Sequence, residues 1–290
     1  MIYNFPRKKK NKITNYLTFS SPNPFSISVA TPGWNGKLYC STDTKTWVEW
    51  TGNGVNATEA DGIYALYFSG TGNTKITGGI SKKWTLSGSS ISCTGNIESL
   101  LDYETVAAGQ HPTMSNSCYN GMFYGCTSLT TAPSLPATTL VGSCYSSMFY
   151  GCTSLTTAPS LPATTLAGSC YYYMFNGCTS LTTAPSLPAT TLVNGCYSDM
   201  FYGCTNLTTV PSLPATTLAD YCYNYMFRGC SSIKLAISQS SEYDKEYRIP
   251  KSGDGVTARN ALRNMFLATG GTFTGTPEIN TTYYTSNTIV

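Results

Sequence analysis

Cysteine, histidine and the carboxylates are the side chains that could carry chemistry, and their placement argues against most of it. The chain of 290 residues has 12 cysteines, 1 histidine and 14 acidic residues. Cys118, Cys144, Cys170, Cys196 and Cys222 recur every 26 residues, and Cys126, Cys152, Cys178, Cys204 and Cys230 form a second column. With no CxxC and a lone histidine, no zinc set can be assembled, so no metal or cofactor is expected. On a helix, the two cysteines of one repeat would lie about 12 Å apart, beyond the ~7 Å that a disulfide tolerates. Neighbouring helices at roughly 8–10 Å would hold the first column apart as well. Small buried thiols are therefore expected, and no disulfides.

His111 precedes Pro112, and no nucleophile or orienting acid is placed beside it by the sequence, so it reads as a loop residue. A glycan-active enzyme would need two suitably spaced carboxylates. Between His111 and Met226 the only charged residues are Asp199 and Asp220. Glu98 with Glu104 is the pair left open for that reading. Trp34, Trp47, Trp50 and Trp84 could form a sugar platform, but their alternation with polar residues assigns them to a core.

The stretch that must position everything else is the repeat itself. Met-Phe recurs at Met122, Met148, Met174, Met200 and Met226, in a unit reading CYxxMFxGCTSLTTAPSLPATTLxxx. A period of this length is the mark of a solenoid, whose coils bury their apolar faces only against one another. At about 100° per residue, Val141, Cys144, Met148 and Cys152 share one side of a helix while Ser143, Ser146 and Tyr150 oppose them. Leu155 then opens a short strand, and Pro159 and Pro162 bound a turn. The expected coil is helix, short strand, Pro-bounded turn.

At this point the residues resemble a known family, the BspA-like leucine-rich repeats, with units like AFxGCxSLTxIxIP. MFYGCTSLTTAPSLP matches at each key position, over roughly residues 115 to 235. The resemblance implies a scaffold used in adhesion and recognition. Such repeats occur in surface proteins of gut-dwelling anaerobes and, with nearly this PATTL wording, in tailed phages that infect them. Two prolines per unit, and Ala-Pro where an aliphatic pair is usual, depart from the pattern and shorten the strand.

The expected fold class is α+β, an N-terminal antiparallel β-sandwich followed by a leucine-rich-repeat solenoid with a C-terminal cap. Residues 1–16 form a basic arm holding Arg7, Lys8, Lys9, Lys10 and Lys12, which account for the net charge of +3. Residues 17–97, with the runs LTFSS, FSISVA, KLYCS, TWVEW, IYALYFSG, KITGG and KWTLSG, read as an Ig-like sandwich that docks to a larger assembly. Residues 98–117 are a linker and first cap, with a helical turn at NIESLLDY. The solenoid of about five coils covers 118–235. A degenerate repeat and cap fill 236–290, with a turn at Ser252–Gly255, a helix at ARNALRNMF and a last strand at TGGTFTGTPEIN.

Neither a signal peptide nor a membrane span is read, as expected of a phage virion protein made in the host cytoplasm. With 11% charged residues, nucleic-acid binding is not expected. Comparison of the copies places their differences on the outward helix face, in Tyr, Ser, Asn, Asp and Gly, the residue types of adaptable binding surfaces. Tyr172, Tyr173, Tyr202, Tyr221, Tyr225, Asn224 and Arg228 are the candidate ligand-binding residues, for a host-surface glycan or protein. Free drift of solvent-facing positions is the other reading of the same differences, and a Thr130, Thr156, Thr182, Thr208 ladder is a second candidate surface. The expected function is a non-enzymatic virion protein, in fibre, tail or capsid-attached form, bound through its N-terminal region to other virion or surface-assembly proteins. The alternative is a bacterial cell-surface adhesin. No heptad supports a trimer, so a homo-oligomer stays open.

Overall fold

The computed structural model describes residues 13–250 and 258–290; most of the basic arm and the turn at Ser252–Gly255 lie outside them. In the N-terminal region, alternating apolar residues build nine strands: β1 (Leu17–Ser21), β2 (Ser26–Val29), β3 (Lys37–Ser41), β4 (Val48–Glu49), β5 (Val55–Asn56), β6 (Thr58–Ala60), β7 (Ile63–Thr71), β8 (Trp84–Ser87) and β9 (Ile91–Thr94). The first repeat contributes β10 (Leu129–Thr131). The larger sheet runs β10-β9-β1-β7-β3-β4 with β6 beside β7, and the smaller runs β5-β2-β8. Six of the seven expected runs contain strands. KITGG does not, because the Ile76 and Thr77 N–H groups donate to the Cys118 carbonyl instead, at 2.9 and 3.2 Å.

Trp84 on β8 packs against Phe19 on β1, Phe68 on β7 and Trp50, with ring centroids 6.0, 5.1 and 5.0 Å away. Trp50 and Trp84 are buried and Trp34 is partly buried against them, whereas Trp47 is half-buried at the edge. The larger sheet does not end with the N-terminal region. β9 pairs in parallel with β10, so the sheet runs on into the first coil.

The repeats hold no helix where one is expected. Among the described residues the only α-helix is α1 (Tyr103–Ala107), capped by the Asp102 side chain, and NIESLLDY begins as a 3₁₀ turn at Ile97–Leu100. Each Cys-Tyr-x-x-Met-Phe segment is instead a run of tight turns. The N–H of Ser146, Met148, Tyr150 and Cys152 each donates to the carbonyl three residues back. The N–H of Ser143, Tyr145, Ser147, Phe149 and Gly151 each donates to the next coil, at Gly168, Cys170, Tyr172, Met174 and Asn176. Local and inter-coil bonds alternate, so every backbone group of the run has a partner.

The physical reason is a period of four rather than 3.6. Cys144-Tyr145, Met148-Phe149 and Cys152 are the buried residues, and every fourth residue takes positive φ: Ser143 at 53°, Ser147 at 52° and Gly151 at 67°. A helix wheel groups these residues almost as well, which is why the pattern reads as helical.

Stacked turns lie closer than helices. The rings of Phe123, Phe149, Phe175, Phe201, Phe227 and Phe266 follow one another at 5.5–5.7 Å. Tyr119, Tyr145, Tyr171, Tyr197 and Tyr223 form a parallel buried column at 5.6–5.9 Å. A helix spacing of roughly 8–10 Å therefore does not apply to the cysteines. All twelve are buried and free, and the second column helps to hold the backbone. Cys152, Cys178, Cys204 and Cys230 Sγ donate to the carbonyls of Phe123, Phe149, Phe175 and Phe201 at 2.9–3.1 Å. Burial pushes these thiols up, Cys230 to about 12, which keeps the S–H donor and removes the nucleophile.

On the opposite side the coils meet through single bridges, Thr131 to Thr157, Thr157 to Thr183, Thr139 to Thr165 and Thr191 to Thr217. The C-terminal region adds β11 (Thr209–Val210), β12 (Leu235–Ala236), β13 (Lys245–Arg248), β14 (Thr282–Thr285) and β15 (Thr288–Ile289), the first of them lent by the fourth repeat. The segment 258–268 repeats the turn run rather than forming a helix, accepting bonds from Tyr221, Tyr223, Tyr225, Phe227 and Gly229. The last strands lie after TGGTFTGTPEIN, not within it. β15 turns back to pair in parallel with β11.

Candidate functional site

The turn run controls which side chains face out. Of each group of four residues, two go to the core and two stand on the outer surface. On that surface the third to fifth coils carry large polar residues, and together with Tyr124, Tyr150 and Ser147 they bound an open groove of about 760 Å³. Six of the seven expected ligand residues line it: Tyr172, Tyr173, Tyr202, Asn224, Tyr225 and Arg228. Tyr221 lies outside it, its ring under the Arg259 guanidinium at 5.0 Å.

Several residues of this surface are not outward in the simple sense expected of them. Ser146, Asn176, Ser198 and Asp199 are only 3–7% exposed. Tyr172 and Tyr173 lie with centroids 4.1 Å apart, and Tyr150 meets Tyr173 edge-on. Arg228 stands over both Tyr202 and Tyr225, at 5.3 and 5.2 Å, and Arg263 over the same Tyr225 at 5.6 Å.

Backbone conformation marks the same place. Tyr173, Asp199, Tyr221 and Tyr225 have φ of 52–56°. A side chain in this left-handed region costs on the order of 1 kcal/mol relative to glycine. The adjacent column keeps Gly125, Gly151, Gly177, Gly203 and Gly229 at 71, 67, 71, 72 and 74° through the five repeats, and only the last run replaces it, with Ala268 at 58°. Bulky polar residues thus occupy the strained positions where they reach the groove or its cationic end.

Asp199 accepts from Ser198 Oγ at 2.7 Å, and its carboxyl is pushed up by burial, opposed by that bond and by the charge of Arg228. Burial likewise raises the Tyr173 hydroxyl, which keeps it a donor at neutral pH. Asn224 Oδ1 is buried in the groove wall without a hydrogen-bond partner, although its Nδ2 reaches Ser198 Oγ at 3.4 Å.

The alternative chemical candidates are placed differently. His111 does meet an acid: its Nδ1 lies 2.8 Å from Glu98, which is 1% exposed and raised chiefly by burial. No hydroxyl or thiol is bonded to the ring among the described residues. Glu104 accepts from Tyr103 at 3.3 Å while Glu98 is committed to His111. Asp220 Oδ1 caps the Arg259 N–H at 2.7 Å, away from Asp199. Among the described residues no cluster of three His, Cys, Asp or Glu is placed to hold a metal, and no helix is long and apolar enough to cross a membrane.

Comparison of the copies puts Asn176 and Asp199 among the varying outward positions without naming them as ligand residues, and it misses Arg263 altogether. The signal for Arg263 is the register of Met265-Phe266, which places it beside Tyr225. Compared with known proteins, residues 110–234 match, in 6 copies, the family model described as BspA type Leucine rich repeat region. No curated protein and no solved structure matches the chain.

Proposed function

We propose, starting from a repeat region of the BspA type, that this chain is a non-enzymatic recognition protein whose turn-run face binds a host-surface glycan or protein. One observation carries the reading: large tyrosines occupy left-handed backbone positions where they line a groove, and glycine is kept in the column beside them. Backbone strain of this kind persists where the surroundings hold it and where a site uses it. Tyrosine offers rigid, amphipathic contact area at low entropic cost.

In this reading the N-terminal region joins a larger assembly and the solenoid presents the groove. The PATTL wording supports an accessory protein of a phage virion, carried on a fibre, tail or capsid. The match to BspA-type repeats equally supports a second reading, a bacterial surface adhesin. Immunogold labelling on purified virions and on cells separates the two.

The test of recognition is binding of the full chain to intact candidate host cells. Tyr172→Ala with Tyr173→Ala, and separately Tyr202→Ala with Tyr225→Ala, are expected to lose at least about tenfold in affinity. Unchanged binding in both, with unchanged melting, overturns the reading.

A further inference from the structure

Arginines gather at one end of the groove, although the repeats that build it carry few charges. Arg228 and Arg263 share the ring of Tyr225, and Arg259 stands over Tyr221. The ion pairs among the described residues are Lys37–Glu49, His111–Glu98 and Lys234–Glu242, so none of these three guanidiniums is in ion-pair contact with a described carboxylate, although the charge of Arg228 reaches Asp199. Each is held against an aromatic face, which orients a planar fork of donors and partly strips its water. Such a fork matches a carboxylate or phosphate in bidentate fashion.

Next to this cationic end lies a surface that wants donors. Among the described residues Asn224 Oδ1 is buried and unpartnered, and the Asp199 carboxylate has Ser198 alone as a side-chain hydrogen-bond donor. Further along, the rings of Tyr172 and Tyr173 pack against each other, and among the described residues no cation stands over either. Guanidiniums at one end, acceptors in the wall and bare aromatic faces beyond are the complement of a molecule that carries an anion, hydroxyl donors and apolar C–H faces together.

The backbone excludes the usual alternative. An extended peptide binds a repeat surface by adding a strand to free N–H and C=O groups. Here those groups are consumed, alternately by bonds three residues back and by bonds to the next coil. Only side chains remain to hold a ligand.

The geometry points to an acidic saccharide as the ligand of this groove, its anionic group seated between Arg228 and Arg263 and its hydroxyls donating to Asn224 and Asp199. This rests on the recognition reading above and narrows it to one chemical class. Arg228, which lines the groove, and Arg263, over the same Tyr225 ring, act as the ligand-reading residues, and Tyr172 and Tyr173 supply the platform.

The experiment is retention of the full chain on an array of oligosaccharides bearing uronic acid, sialic acid or phosphate, printed beside their neutral counterparts and beside acidic peptides. The expected result is retention on acidic sugars, falling as salt is raised, and weakened at least about tenfold by Arg228→Gln with Arg263→Gln. Lys37→Gln, far from the groove, should leave retention unchanged. Circular dichroism melting of each variant excludes unfolding as the cause. Equal retention on neutral sugars, indifferent to the double variant, overturns the acidic class while leaving the groove as a recognition site. Retention on acidic peptides in place of sugars overturns the saccharide. Retention on nothing printed, joined to loss of cell binding, removes both this inference and the reading on which it rests.

Discussion

The two long faces of the solenoid are built from the same coils and obey opposite rules. On one, threonines follow one another in nearly unchanged TTAPSLPATTL segments, joined by single bridges, with Thr182 and Thr208 hydroxyls donating to the carbonyls of Thr156 and Thr182 at 3.4 and 3.1 Å. On the other, saturated turns fix the backbone so completely that the side chains between the core residues are released from structural duty. There Gly121, Ser147, Tyr173, Asp199 and Tyr225 occupy one and the same backbone conformation. Variety is tolerated where the main chain alone holds the coil, and sameness is kept where side chains help to hold it.

The largest effect expected on this comparison comes from the core that both faces share. Phe175→Ala opens a gap in the ring stack and should cost about 3–5 kcal/mol, read from the denaturant midpoint. A loss under about 1 kcal/mol would mean that the coils are held by backbone bonds alone. Next, Cys178→Ala removes the thiol bonded to the Phe149 carbonyl at 3.1 Å and should cost about 1–2 kcal/mol. That carbonyl keeps its bond from the Cys152 N–H, so a larger loss would assign the thiol to packing.

Tyr173→Gly tests the strained face directly. It should gain up to about 1 kcal/mol of stability by relieving the left-handed backbone, while binding falls. A loss of stability would make Tyr173 a structural residue and erase the distinction between the faces. Asp199 gives the same test through pH. Its carboxyl is raised in the folded state, so folding favours the protonated form. Stability is therefore fullest at pH below the ordinary carboxylate range and declines as pH rises through the raised value. Asp199→Asn should flatten that slope from the ordinary carboxylate range upward. The smallest effect belongs to the threonine face, where Thr208→Val loses one exposed hydrogen bond and should cost about 0.5–1 kcal/mol.

Much of this architecture is legible in the sequence. The 26-residue period, the inward Cys, Tyr, Met and Phe, the neutral surface and half of the groove wall all follow from comparing the copies. What misleads is a pattern with two solutions. Cys144, Met148 and Cys152 suit a helix wheel, yet their spacing of four suits stacked turns better, and the Gly that ends each run reads as a helix stop when it is one of a series of left-handed positions. From that one ambiguity follow the wrong coil spacing and, with it, the wrong distances between the cysteines. Glu98 under His111 is not legible because no repeat register relates the two, whereas Arg263 beside Tyr225 follows from the register of Met265-Phe266 once the last run is read as a further coil.

The alternation of local and inter-coil bonds also has a mechanical meaning. Inter-coil hydrogen bonds point from coil to coil, so a pull applied between the two ends of the solenoid loads them along their own length, as in a zipper, rather than across it as in shear. Every interface carries the same tension in series, so the coils give way one at a time, starting at the weakest interface. Each failure releases one repeat of 26 residues, about 90 Å of extended chain. Under tension a stack built this way would yield in steps of one repeat, dissipating the load coil by coil.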